Sequence, residues 1–443
     1  MELRDLFVTP VVIVGIFLMA RFAMPYVTND QTRRYFFPAL TVKIIGALAV
    51  GFVYQFYYDS GDTFMYHTFG SRQVWQAIFE SPMEGLSMIF RAAGDYTGVY
   101  KYASRVFFFK DANSYQVVRI ATIFDLFTYS SYAATASLFG ALSFLGTWLL
   151  YLTFYKQYPH LHFALAISIC FIPSVFFWGS GILKDTIVMS LLGVTTYLLY
   201  RLFFERRFGW FSVLVLIFSI YYIYSIRKFV LQAYLPAAII WILAAKFADI
   251  RSTVLKALLV PAVAVIAIIS SYYSVVKVGE GDQRYSLDKI AETAKVTAYD
   301  IRYWSGRDAG SGYSLGELDG SLGSIISLSP KAINVSLFRP YLWEVKNPLM
   351  LLSALEGFVF LVLTVLMVLR RRLAIVASLR DANILFCLIF SISFAFAVGV
   401  STYNFGTLAR YKIPLLPFFA VALALIFDYS KRDKKFEVFE DTE

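Results

Sequence analysis

Eleven stretches of this chain are apolar enough to enter a lipid bilayer, and they dictate most of what it can fold into. They lie at about 6–26, 38–57, 132–154, 162–178, 183–200, 211–224, 229–245, 257–276, 349–369, 383–400 and 411–427. A helix needs about 20 mostly apolar residues to cover roughly 30 Å of hydrocarbon, so the shorter runs imply tilt or local thinning. Inside a bilayer every backbone polar group must be satisfied within the span, and a closed barrel would show alternation in roughly ten-residue segments. Unbroken runs of Leu, Ile, Val and Phe fit helices instead. The predicted fold is all-α: a polytopic transmembrane helical bundle of about eleven spans, with two long extracytoplasmic loops carrying amphipathic helices.

Composition supports the same class. Apolar residues make up 59% of the 443 and charged residues only 16%, against roughly 25% charged in a soluble domain. That excludes a cytosolic globular enzyme, a disordered chain and a disulfide-stapled secreted module. Cys170 and Cys387 both lie inside apolar runs, so no disulfide framework is expected. The net charge of +10 would suggest nucleic acid in a soluble protein; here it records loop orientation, and no nucleic-acid partner is expected. The first run lacks a basic leader and a small-residue cleavage site, so it reads as a span rather than a removable signal.

Lys and Arg in the short connections set the orientation. One set of loops holds Arg201, Arg206, Arg207, Arg370 to Arg372 and the run from Lys431 to Lys435, and the opposite set is much poorer. The positive-inside rule puts the rich set in the cytoplasm, with the N-terminus outside and the C-terminus inside, in what reads as a bacterial inner membrane. The chain then divides into two spans (1–57), outer loop one (58–131), a six-span core (132–276), outer loop two (277–348), three spans (349–427) and a charged cytoplasmic tail (428–443). The stretch 115–128 has helical spacing at Val117, Ile120, Ala121 and Phe124, but Arg119 and Asp125 interrupt it, so it is expected to be interfacial.

Ionisable residues cluster at the outer ends of spans, where burial is costly and usually marks function or a mutual pair. Outer loop one opens Tyr58-Asp59-Ser60-Gly61-Asp62-Thr63 and continues to Tyr66-His67, directly after the second span. Amphipathic stretches follow, with Trp75, Ile78 and Phe79 on one helical face and Leu86, Ile89 and Phe90 on another, suited to a rim lying on the bilayer. The next outer turn, Phe177 to Asp185, carries Gly179 and Gly181 for a sharp bend and then Lys184 and Asp185 at membrane depth. Adjacent helical residues do not face each other, so a Lys184–Asp185 self-pair is a poor account of both.

Two further outer turns run against the positive-inside bias: Arg227-Lys228 and Arg410-Tyr411-Lys412. Pro414 suits the first turn of the last span, and Pro417 is expected to kink it. Together these cations can grip a phosphate or diphosphate. In outer loop two, 286–304 looks helical, Gly306 to Gly323 looks irregular, and Arg339, Trp343 and Glu344 with Tyr341 form a cluster that suits carbohydrate as well as an interfacial aromatic belt. Glu356, inside a span, is expected to pair with a cation of a neighbouring helix.

No Walker motif, nucleophile elbow or dinucleotide fingerprint occurs, and His67, His160 and His162 have no metal-ligand spacing. The absence of a visible internal repeat weighs against inverted-repeat transporters.

This layout resembles the GT-C superfamily of membrane glycosyltransferases. The matching features are an acid in the first long outer loop, at Asp62 with Asp59 close by, amphipathic rim helices in the same loop, basic residues in later outer loops, and the Pro-bounded stretch Ala409-Arg410-Tyr411-Lys412-Ile413-Pro414. The resemblance implies an inverting transfer of sugar from a polyprenyl-(di)phosphate donor to a glycan, lipid or protein acceptor. Asp62 would be the catalytic base with Asp59 beside it. Lys184, Arg227, Lys228, Arg410 and Lys412 would meet the donor phosphate; Tyr66, His67, Asp185, Arg339, Trp343 and Glu344 would contact substrate. No cofactor is implied; a divalent metal is not required, although the two aspartates could hold one. The competing readings are a polysaccharide polymerase of the O-antigen type joining lipid-linked repeat units and, further off, a flippase or transporter.

Overall fold

In the computed structural model, residues 2–248, 296, 299, 312–313, 315, 327–370, 372–402 and 404–440 are described. The expected span 257–276 and the expected helix 286–304 lie outside these, apart from the isolated residues 296 and 299, as does most of Gly306 to Gly323. Among the described residues the protein is helical, with no strand beyond a single bridge between Gly312 and Asn404. Among the described residues, seven helices are long and apolar enough to cross a membrane, or eight if one bent pair counts as a span. The chain is a multi-pass helical membrane protein. It divides into two compact units, Met1–Ala166 with Ser174–Arg227, and Ile167–Pro173 with Lys228–Glu443.

The first unit begins with α1 (Leu3–Val27) and α2 (Arg33–Phe56). Outer loop one follows as α3 (Asp62–Tyr66), a π-helical turn (His67–Ser71), α4 (Arg72–Glu80), α5 (Pro82–Phe90), α6 (Tyr100–Ala103) and α7 (Ala112–Thr128). Then come α8 (Tyr132–Tyr155), α9 (His162–Cys170) and α10 (Pro173–Phe177), of which the stretch Ile167–Pro173 is assigned to the second unit, and α11 (Lys184–Phe203) and α12 (Trp210–Ile226). Helix α8 is the centre of the unit. Tyr132, Phe139, Trp148 and Tyr151 are all buried along it. It crosses α11 where Gly146 meets Gly193, and a Cβ on Gly193 would overlap the Gly146 carbonyl. Water gives no drive to helix association inside a membrane, so such small-residue crossings supply close packing instead.

The expected span 162–178 is broken. Helix α9 stops at Cys170 and the chain resumes at Pro173, which cannot donate to the preceding turn and drives the residue before it out of helical geometry. The expected span 211–224 is α12, 17 residues long and outside the seven. Segment 115–128 is most of α7, and one side of it is packed inside the unit through Tyr115, Val118, Ala121, Thr122 and Asp125. In α4 and α5 the buried apolar side chains are Val74, Ala77, Met88 and Ile89, while Phe79, Met83, Leu86 and Phe90 face outward.

The second unit contains α13 (Lys228–Ala248), α14 (Ser329–Phe338), a 3-10 turn (Leu342–Glu344), α15 (Pro348–Arg370), α16 (Arg372–Ser378), α17 (Ala382–Ser401), α18 (Phe405–Tyr411) and α19 (Leu416–Glu440). Trp241, Phe386, Phe390 and Phe418 form its aromatic core, and the Trp241 indole donates to Asn383 Oδ1 at 2.9 Å. The expected last span 411–427 is a bent pair: α18 and α19 meet at 67° across Lys412–Leu415. Pro414 lies in the break. Pro417 sits in the first turn of α19, where its missing N–H has no helical partner to lose, so the bend falls before it rather than at it.

Candidate functional site

The site is built from four segments of the first unit. The first is the start of α3. Gly61 adopts φ +143°, a region L side chains rarely enter, and a Cβ there would overlap the Tyr54 ring. The next turns of α3 are pinned to α8: the Thr63 hydroxyl lies 2.7 Å from Tyr132 Oη, and Phe64 stacks on the same ring at 4.6 Å. Asp62 is therefore presented, half-buried, in the first helical turn, while Asp59 is exposed with φ +55°. Acids are favoured at that end of a helix because its leading N–H groups have no intrahelical acceptor.

The turn Gly179-Ser180-Gly181 supplies the second segment. Ser180 Oγ donates to the Phe176 carbonyl at 2.6 Å, and Thr186 Oγ1 donates to the Gly181 carbonyl at 2.6 Å. Beneath it lies Lys43 of α2, 1% exposed, whose ammonium donates to Ser143 Oγ and the Val175 carbonyl, both at 2.9 Å, and reaches the Gly179 carbonyl at 3.4 Å. These carbonyls sit at the end of α10 and in the turn, where helical partners run out. The turn so fixed delivers Lys184 and Asp185 at the head of α11.

There the charges meet. Lys184 Nζ is 3.7 Å from Asp111 Oδ2, and Arg227 Nη2 is 2.8 Å from Asp185 Oδ1. Lys184 is also within electrostatic range of Asp62, Asp185 and Arg227. Asp185 is 1% exposed and Arg227 8%. Asp111 caps α7, accepting from the Asn113 N–H at 3.0 Å and from the Ser114 hydroxyl. Burial works against its charge, but the Lys184 ammonium, Ser114 and the cap hold its carboxyl below the usual aspartate range.

The structure thus brings Asp62, Lys184, Asp185 and Arg227 together, with Asp111 added. Tyr66 and His67 turn into the packing: Tyr66 stacks on Phe108 at 4.8 Å, and His67, fully buried, lies edge-on to Tyr132 with Nε2 3.4 Å from Asp125 Oδ1. Asp125 accepts from Ser71 and Thr135 at 2.6 and 2.7 Å.

Lys228, Arg339, Trp343, Glu344, Arg410 and Lys412 belong to the second unit. Arg339 is held by Glu344 in a two-pronged pair, with Nε donating to Oε2 at 3.0 Å and Nη2 to Oε1. Its guanidinium lies 5.4–5.8 Å from the ring centres of Phe405, Tyr313 and Tyr341, and Tyr341 stacks on the 80% exposed Trp343. Lys412, buried in the break before α19, is within electrostatic range of the buried Glu356 of α15. Arg410 is half-buried in α18, and Lys228 half-buried at the head of α13.

Two residues escaped the sequence reading. Asp111 had the signature of an ordinary helix cap, an Asp ahead of an apolar-periodic run. Lys43 stood alone between Val42 and Ile44, where a single intramembrane cation is itself the signal. Among the described residues, no group of three His, Cys, Asp or Glu side chains is placed to hold a metal ion. No family model, no curated protein and no solved structure matches this chain.

Proposed function

We propose that the protein is an integral membrane glycosyltransferase that moves a sugar from a polyprenyl-(di)phosphate donor to an acceptor hydroxyl at the extracytoplasmic face. The observation that carries the reading is that Lys184 has Asp62, Asp111, Asp185 and Arg227 within electrostatic reach although they come from four separate segments. A half-buried acid within electrostatic range of a lysine suits a single displacement at an anomeric carbon, the acid as base and the cation for the leaving group.

The acceptor oxygen attacks that carbon as the Asp62 carboxylate takes its proton, and the bond to the phosphate oxygen breaks with its electron pair going to the leaving group. One displacement inverts the anomeric centre. The charge that develops on the phosphate is met by Lys184 and Arg227, whose effect is larger in a water-poor site than in bulk water. Asp185 orients Arg227, and Lys43 positions the turn that carries Lys184. By this reading the N-terminus lies outside and the C-terminus in the cytoplasm.

Sugar transfer from polyprenyl-phosphate and polyprenyl-diphosphate donors tests it, using purified protein in nanodiscs. Asp62→Asn should slow transfer by roughly 10²–10⁴-fold, the usual share of a general base. Transfer at the wild-type rate in Asp62→Asn would remove the base, and with it the mechanism.

A further inference from the structure

The two ion pairs of the site differ in a way that assigns them different work. Arg227 and Asp185 meet at 2.8 Å with side chains 8% and 1% exposed. Lys184 and Asp111 are 3.7 Å apart, beyond hydrogen-bonding distance, with 19% and 47% exposure. The first pair is closed to solvent; the second is loose and open on the Asp111 side. Asp111 also has separate attachments, because Oδ1 accepts from the Asn113 N–H and the Ser114 hydroxyl donates to Oδ2. Losing Lys184 would leave the α7 cap in place.

We infer that Asp111 is a stand-in anion: it serves Lys184 as counter-ion until a phosphate group arrives, and that phosphate displaces it. The inference rests on the donor-phosphate reading above and adds which contact opens to admit the ligand. A phosphate oxygen and a carboxylate oxygen carry comparable charge, so the exchange keeps Lys184 neutralised throughout. Lysine suits it, since an ammonium is a compact point charge with rotatable donors and can change partner without the fixed fork that arginine needs. Arg227 cannot make the same exchange, because its partner Asp185 is enclosed.

Calorimetric titration of the full-length protein in nanodiscs tests this, with farnesyl phosphate and inorganic phosphate as separate probes. Asp111→Asn is the informative variant, because asparagine caps a helix as well as aspartate does and the fold is retained. It should bind farnesyl phosphate roughly fivefold more tightly than wild type, the size expected from removing one partly exposed competing charge. Lys184→Met added to Asp111→Asn should abolish the gain. An equal gain for inorganic phosphate supports recognition of the phosphate group alone, and a gain confined to farnesyl phosphate supports a lipid-borne phosphate. Wild-type binding that Asp111→Asn leaves unchanged or weakens overturns the stand-in role while sparing the transferase reading. No binding to either protein removes the phosphate site and both readings with it.

Discussion

The Arg339–Glu344 pair of the second unit and the Lys184–Asp111 and Arg227–Asp185 pairs of the first are built on opposite plans. In the second unit, Arg339 and Glu344 are five residues apart, and Glu344 also accepts from the Tyr341 N–H at 2.8 Å, so the pair closes its own loop. In the first unit, Asp111 with Lys184 and Asp185 with Arg227 join segments from α7, α11 and the end of α12. A local clamp stiffens the turn that contains it. A long-range cluster forms only when whole helices are in register, and its charges then confront each other in a partly dry space where they can act on a ligand. The difference separates a structural fixture from a candidate reaction centre.

The largest effect that can break this comparison is expected at Arg227. Arg227→Met leaves the enclosed Asp185 carboxylate without its guanidinium and should cost about 3–5 kcal/mol of stability. Asp185→Leu combined with Arg227→Met should recover much of that, because a buried pair replaced by apolar groups is often near neutral. Thermal unfolding of the three variants in nanodiscs reads both values; a double variant no better than the single one would mean the pair itself is not what Arg227 contributes.

The smaller effect sharpens the contrast. Glu344→Gln should cost only about 1 kcal/mol, since water reaches the clamp. Burial pushes the Glu344 carboxyl up, but the Arg339 hydrogen bond, the Tyr341 N–H and the guanidinium charge outweigh it and hold the group below the ordinary glutamate range. A lowered folded value means the stabilisation is fully present above the unfolded one and fades as pH falls through the folded one. The wild type and Glu344→Gln should therefore differ in unfolding temperature at neutral pH and converge in acid. A gap that stays constant with pH would contradict the clamp.

How much of this was legible in the sequence follows from which residues had to act alone. Unbroken apolar runs such as those of α1, α2 and α8 carry their own signal, because spanning a bilayer is a property of one segment. Breaks do not: the runs 162–178 and 411–427 look continuous in hydropathy, yet Pro173 and the Lys412–Leu415 turn divide them. Asp62, Lys184, Asp185 and Arg227 stood out because ionisable groups at membrane depth are costly wherever they occur. Their pairing was not readable, since adjacency of Lys184 and Asp185 in sequence puts them on different faces and each finds its partner elsewhere. Asp111 was hidden by doing an ordinary helix-capping job at the same time.

The claim at the centre of this account is that Asp62 and Lys184 act on one substrate in one site. A double-mutant cycle on single-turnover sugar transfer, with Asp62→Asn, Lys184→Gln and the two combined, measures that directly. Groups that act as a unit are strongly non-additive, so the double variant should be about as slow as the slower single one. Losses that multiply in full, as for two independent positions, would contradict it.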